Sequence, residues 1–188
     1  MDLPHNPWTT LSKTTTYENA WILVEEHQVI NPGGQPGIYG KVHFKNIAVA
    51  ILPLDEEGYT WIVGQYRYPI DRYEWELPEG GCHEGEQPLI AAQRELAEET
   101  GLIAEWFTPV LEMQLSNSAT DEISISYLAT GLSQGLSFPE EDEKLEVKKI
   151  HFDELLELVE RGEIKDALSV ATILRVHLMK TKGQLDRF

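Results

Sequence analysis

A chain of 188 residues with 41% hydrophobic content can bury one sizeable core, and it carries no repeat or low-complexity run. Its 32 acidic against 15 basic residues leave a net charge of −17, which argues against a long nucleic-acid partner, because Lys and Arg must supply that affinity, while a small metal-chelated anion stays compatible. One cysteine, Cys82, excludes an intramolecular disulfide; the opening MDLPHNPW lacks a basic start and an apolar run, and no apolar stretch is of membrane-spanning length, so no export, no membrane partner and a cytoplasmic location are expected.

In chain order, β-branched and alternating runs at 20–30, 41–54 and 60–68 predict strands. The turn signals Asn31-Pro32-Gly33-Gly34 and Asp55-Glu56-Glu57-Gly58 separate them, so the first third of the chain is expected to be mostly sheet. Residues 88–100 are rich in helix formers, with Pro88 suited to a first turn and Gly101 placed to end the helix. Strands are expected at 106–115, 123–129 and 145–152, and the acidic run 139–144 reads as a solvated loop. Asp153 is the expected N-cap of a helix to Arg161, and an amphipathic helix is expected over 165–180. Strands and helices in this order predict an α/β fold.

On the helix at 88–100, Glu95, Glu98 and Glu99 fall three and four residues apart, so their carboxylates crowd one face. Like charges at that spacing repel unless a cation lies among them, and an all-oxygen donor set suits Mg2+, or Mn2+, over zinc or copper. A solvated acidic face is the plainer alternative. Cys82 and His83, in the glycine loop before the helix, read as a bystander and an exposed loop residue.

Taken as a string, Gly80, five residues, Glu86, seven residues, then Arg94-Glu95-Leu96-x-Glu98-Glu99-x-Gly101-Leu102 resembles the Nudix box. The box spans only residues 80–102. What the resemblance implies is an α/β/α sandwich with a mixed sheet that hydrolyses a nucleoside diphosphate linked to another group. By position it implies Glu95 and Glu99 as main metal ligands and Glu98 as a further ligand or water-organising carboxylate. It implies the Glu79 carbonyl as another ligand and Arg94 as their organiser, with Gly80 and Gly101 shaping the loop-helix-loop. Glu86 reads as a structural clamp, accepting backbone N–H groups or pairing with Arg94, with a ligand role as the alternative.

Catalysis on a polyanionic diphosphate also needs a base within about 3 Å, or one water, of the attacking water. The polar segment 116–122 lies between apolar runs, where loops often carry catalytic groups. In the similar ADP-ribose pyrophosphatase branch a comparable loop reads Ser-Pro-Gly before a water-activating glutamate; here Glu122 takes that place, Asn117 and Ser118 replace the Pro and Gly, and Asp121 and Glu98 are rivals. Landmarks resembling the same branch run from Tyr17-Glu18-Asn19-Ala20-Trp21 through Gln65-Tyr66-Arg67 to Trp75-Glu76-Leu77-Pro78-Glu79-Gly80. Arg67 is the expected phosphate ligand, since a guanidinium binds phosphate bidentately, with a strand-end salt bridge as its alternative. Glu76 is expected to be a polar substrate contact or a support for one.

The same resemblance implies that residues 1–40 form an N-terminal β extension acting as a dimer arm, with the catalytic domain at 41–188 and a homodimer as the assembly. Trp8, Tyr17 and Trp21 are then core or interface residues, or surfaces for stacking a nucleobase, Trp21 foremost. The expected function is Mg2+-dependent hydrolysis of ADP-ribose or a related nucleoside diphosphate sugar to a nucleoside monophosphate and a sugar phosphate. GDP-mannose, NADH and dinucleoside polyphosphates are alternative substrates, and a non-catalytic ligand sensor is the alternative of another class.

Overall fold

A threonine-rich run, TTLSKTTTYE, forms β1 (Thr9–Glu18), a strand that the sequence reading passes over because every one of its residues is exposed and no apolar alternation marks it. The β preference of Thr and Tyr, with pairing along β2 (Ile22–Ile30), is what holds it extended. β2 pairs antiparallel with β3 (Pro36–Phe44) through the turn at Asn31, whose side-chain oxygen accepts from the amides of Gly33 (2.9 Å) and Gln35 (3.1 Å). The computed structural model describes residues 5–135 and 145–185, so the acidic run 139–144 lies outside the described residues.

These three strands and the segment Gln114–Glu122 make one compact unit; the rest of the chain makes a second. Where a single strand is expected over 41–54, the chain bends at Lys45 and Asn46 and begins β4 (Ala48–Pro53). The apolar run does not reveal that break, because β3 and β4 are both rich in β-branched residues.

In the second unit β4 pairs in parallel with β9 (Ile123–Gln134) and antiparallel with β7 (Glu79–Gly81), and β8 (Leu102–Gln114) flanks β9, so the sheet is mixed. Its near-continuous apolar sequence, AVAILP, follows from burial on both faces. Val49 and Ile51 join Ala91, Ala92 and Leu96 of α1 (Pro88–Thr100) in one apolar cluster. Leu52 joins Leu155 of α2 (Phe152–Glu160) with Ile173 and Val176 of α3 (Ala167–Thr181) in the other. Helices thus cover both sides of the strands, as in an α/β/α sandwich. β5 (Tyr59–Arg67) carries β10 (Glu146–His151) on one edge and β6 (Arg72–Glu76) on the other.

Two helix starts differ from expectation. His151, not Asp153, caps α2: its ring nitrogen accepts from the Asp153 amide, which leaves Asp153 and Glu154 in the first turn, where acidic groups suit the helix dipole. Asp166 caps α3 by accepting from the Ser169 amide at 2.7 Å, so that helix begins two residues later than the amphipathic pattern suggests. Trp8, Tyr17 and Trp21 are at the surface, not in the core. Among the described residues no helix is long and apolar enough to cross a membrane.

Candidate active site

α1 runs over Pro88–Thr100 with Pro88 in its first turn, and Gly101 ends it in a left-handed conformation, φ 71°, its amide donating to the Ala97 carbonyl at 2.9 Å. Halfway along, Arg94 uses all five of its N–H donors. Nε and Nη2 donate to the two Glu86 oxygens at 3.1 and 3.0 Å, and Nη2 also donates to the Gly81 carbonyl at 3.0 Å. Nη1 donates to Glu95 Oε1 at 2.8 Å and Glu98 Oε2 at 2.9 Å. One guanidinium therefore fastens the glycine loop to the helix and sets two carboxylates beside each other.

Glu86 completes the clamp by accepting the His83 amide at 2.8 Å. Its hydrogen bonds from Arg94 outweigh the upward pull of burial and hold its carboxyl down at about 2. Cys82, 4% exposed, sits in the apolar cluster with Val49 and Leu96, where burial pushes its thiol pKa up.

Glu99 is 3% exposed and accepts the Glu79 amide at 3.0 Å, so β7 and α1 meet where the Glu79–Gly80 peptide passes the acidic face. Gly80 leaves room there: a Cβ on it would lie 2.1 Å from Glu95 Oε1, so a side chain at that position would displace the Glu95 carboxylate. Glu95 and Glu98 are thus both hydrogen-bonded to Arg94 Nη1 while Glu99 holds the Glu79 amide, and the missing side chain at Gly80 is the space that lets the loop and Glu95 approach; among the described residues, the three carboxylates whose oxygens all lie within 4.8 Å of one another are elsewhere, at Glu76, Glu79 and Asp166.

A second cluster gathers around Arg67 at the end of β5. Its Nε donates to Glu76 Oε2 at 3.1 Å, and its Nη2 donates to Glu76 Oε1 and, at 2.7 Å, to Glu79 Oε1. Glu76 is 1% exposed and also accepts Gln65 Nε2 at 2.7 Å, so its carboxylate holds Arg67 and Gln65 in place. Asp166 joins from the start of α3, and carboxylate oxygens of Glu76, Glu79 and Asp166 lie within 4.8 Å of one another. Burial, followed by repulsion from Asp166 and Glu76, pushes the Glu79 carboxyl well above its ordinary value, and Arg67 lowers it by less. Ser169, one turn into α3, accepts the Leu77 amide at 2.8 Å and so ties the helix to the strand leading into Glu79. The sequence reading misses Asp166 and Ser169; their only local signal is a helix-capping pair.

In the other unit, Glu122 is half-buried and its amide donates to Thr120 Oγ1 at 3.4 Å. Asp121 accepts from Lys41 Nζ at 2.7 Å and from the Phe44 amide at 3.0 Å, and meets His43 Nδ1 at 2.8 Å. Burial pulls its carboxyl up, but those partners outweigh it and hold it at about 2. Trp21, 67% exposed, sits between β1 and β2 with its amide donating to Asn19 Oδ1.

A NUDIX domain model matches residues 44–171, and a model of the nucleoside diphosphate sugar hydrolase N-terminal domain matches residues 8–42. The chain is 34% identical over 177 residues to the ADP-ribose pyrophosphatase of Mycobacterium tuberculosis, covering 92% of this chain and 84% of the relative. It is 37% identical over 133 residues to the ADP-ribose pyrophosphatase of Bacillus subtilis, covering 70% and 72%. A crystal structure described as an ADP compounds hydrolase superposes with a TM-score of 0.85 over 98% of this chain and 100% of its own, at 22% identity, a likeness of fold.

Proposed function

The chain belongs to the Nudix family and is a hydrolase acting on a phosphoric anhydride, and on that premise we propose that it cleaves the diphosphate of ADP-ribose or a related nucleoside diphosphate sugar, using Mg2+ or, in its place, Mn2+. The products are a nucleoside monophosphate and a sugar phosphate. The observation that carries this reading is the saturated Arg94, which spends every donor on holding Glu95, Glu98, Glu86 and the Gly81 carbonyl in one arrangement. A non-catalytic sensor has no need of such a preorganised carboxylate set.

In this proposal Glu95, Glu98 and Glu99, with the Glu79 carbonyl, hold the metal. When bound, the metal offsets the charge of the diphosphate oxygens and eases deprotonation of the attacking water. Arg94 keeps Glu95 and Glu98 from relaxing apart, and Glu86 keeps Arg94 in place. Arg67 binds a phosphate oxygen through the edge of its guanidinium that Glu76 and Glu79 do not occupy, and Trp21 offers a face for the nucleobase. Residues 1–40 act as a dimer arm on a catalytic domain at 41–188; a monomeric mass by light scattering would remove that part.

Glu122 is the proposed base. Asp121 is the weaker rival, because a carboxylate held at about 2 by Lys41, His43 and the Phe44 amide has little affinity for a proton at neutral pH. Glu122→Gln is expected to lower kcat by about 10²-fold or more with KM little changed. An unchanged kcat would move the role to Asp121 or Glu98.

The direct test is product release from ADP-ribose, ADP-glucose, GDP-mannose, NADH and diadenosine polyphosphates, each with Mg2+, with Mn2+ and with chelator. Fastest, chelator-sensitive release of AMP and ribose 5-phosphate from ADP-ribose is expected. A preference for GDP-mannose, NADH or a dinucleotide would keep the metal chemistry and discard the substrate. Binding of these compounds without turnover would discard the reaction itself.

A further inference from the structure

The segment Gln114–Glu122 joins β8 to β9, yet it belongs to the compact unit of the N-terminal strands. Its hydrogen bonds show why. The Ser116 carbonyl accepts the amides of Ala119 and Thr120 at 3.0 and 2.8 Å, which closes one turn of chain. That turn contains neither proline nor glycine, the residues that pre-set turn geometry, so contacts from outside it must supply the order. β3 supplies them. The Val42 amide donates to the Ala119 carbonyl at 2.9 Å, the Asp121 amide donates to the Val42 carbonyl at 3.3 Å, and the Tyr39 hydroxyl donates to the Ser118 carbonyl. Thr120 thus sits opposite Val42 in a short parallel bridge, and the loop is stitched to β3.

One side chain fastens the stitch. Asp121 spends both carboxylate oxygens on β3: Oδ1 accepts the Phe44 amide at 3.0 Å, and Oδ2 meets Lys41 Nζ at 2.7 Å and His43 Nδ1 at 2.8 Å. Lys41 and His43 are two positions apart on one strand, so the alternation of β3 puts both on the face that Asp121 meets. The three side chains are 34 to 45% exposed, and ion pairs that exposed add little to overall stability. Stability of the whole fold therefore does not account for three partners on one carboxylate. What the arrangement does fix is local: the next residue is Glu122, whose amide donates to Thr120 Oγ1 within the same stitched segment.

We propose that Asp121 is a positioning residue: pinned by Lys41, His43 and the Phe44 amide, it holds the loop on β3 and so sets the Glu122 carboxylate where it takes the proton of the attacking water. This inference rests on the reading of Glu122 as the base. A base must come within about 3 Å of its proton, or one water away, and a misplacement near 1 Å costs on the order of 10²-fold in rate, so a turn without proline or glycine needs such a clip. A carboxylate already committed to three partners is a poor proton acceptor, which leaves the proton to Glu122 and the placement to Asp121. β3 is then part of the device that places the base, a role separate from that of a dimer arm.

The test is a double-mutant cycle in kcat on the nucleotide sugar hydrolysed fastest, with Asp121→Asn, Glu122→Gln and the pair, beside Lys41→Met and Lys45→Met. Asp121→Asn keeps an acceptor for the Phe44 amide and loses the charge that Lys41 and His43 engage. It is expected to lower kcat by about tenfold or more, with KM within about twofold of wild type. In the Glu122→Gln background the same substitution should cost less than about twofold, because a residue that acts through Glu122 has nothing left to position. Lys41→Met leaves Asp121 itself intact and should lower kcat by about threefold or more. Lys45→Met breaks an ion pair to Glu18 in the same unit and should leave kcat within about twofold. Amide hydrogen exchange reads the docking without turnover: at residues 119–122 it should quicken by about tenfold in Asp121→Asn and stay as in wild type in Lys45→Met. Equal losses of kcat in both backgrounds, unchanged exchange at 119–122, or a loss in Lys45→Met as large as in Asp121→Asn would each overturn the positioning role. A slow Glu122→Gln with a fully active Asp121→Asn would remove that role and leave the base. A fully active Glu122→Gln with a slow Asp121→Asn would remove the base, and the positioning role with it.

Discussion

Two arginines anchor two carboxylate clusters in the same unit, and they differ in what they leave over. Arg94 gives its five donors to Glu86, Glu95, Glu98 and the Gly81 carbonyl, and its side chain is 19% exposed. Arg67 gives Nε and Nη2 to Glu76 and Glu79 and has no acceptor for Nη1 among the described residues; its side chain is 37% exposed and lines a cleft. A saturated guanidinium can only organise its neighbours, whereas an unsaturated one can still take a ligand. The same residue type thus serves two different ends, and the count of unused donors tells them apart.

The widest separation between them should come from lysine substitution, since an ammonium cannot reproduce a planar five-donor fork. Arg94→Lys is expected to release Glu98 and part of the Glu86 clamp and to cut kcat by about 10²-fold, the scale of loss that a misplacement near 1 Å causes. Arg67→Lys keeps a cation at the cleft and is expected to raise KM by about tenfold with kcat within a few-fold. Steady-state kinetics on one substrate panel reads both. Equal effects on kcat would erase the distinction, and a pure KM effect at Arg94 would invert it.

How far these clusters were legible follows from the range of the contacts that make them. The Arg94 centre is local: Pro88, the 3- and 4-residue spacing of Glu95, Glu98 and Glu99, and Gly101 mark α1 to the residue, because helix periodicity and caps act over a few positions. The Arg67 centre joins β5, the strand into Glu79 and the start of α3, and the Leu77 amide to Ser169 bond spans 92 positions. No pattern in a window of a dozen residues reports that, so Asp166 and Ser169 carry no sequence signal of the cluster although Asp166 is an ordinary helix cap. β1 is hidden for the reverse reason: its exposed threonines give no alternation of apolar and polar positions to read. The break between β3 and β4 hid inside one continuous β-branched run.

The finest contrast is electrostatic, and it runs in opposite directions with pH. Glu86 ordinarily titrates at 4.5 and is held at about 2 in the fold, chiefly by Arg94. Its contribution to stability is therefore fully present above about pH 5 and is lost as pH falls toward 2. Glu79 is displaced the other way, by burial first and then by Asp166 and Glu76, so the folded state holds its proton more tightly than the unfolded chain does. Its contribution is present below the ordinary value of 4.5 and is lost as pH rises through the raised one. Glu86→Gln should accordingly cost about 1 kcal/mol at pH 7, after allowance for solvent screening, and the gap to wild type should close as the pH is lowered from 5 toward 2. Glu79→Gln should move the other way, gaining on wild type as the pH is raised from 4 to 8, because the neutral amide escapes the repulsion that the ionised carboxylate meets. Urea unfolding midpoints across that range decide it. Two differences that are flat, or that share a sign of slope, would mean that the Arg94 cluster is not held ionised while the Arg67 cluster resists ionisation, and the charge distinction between the two arginines would be lost.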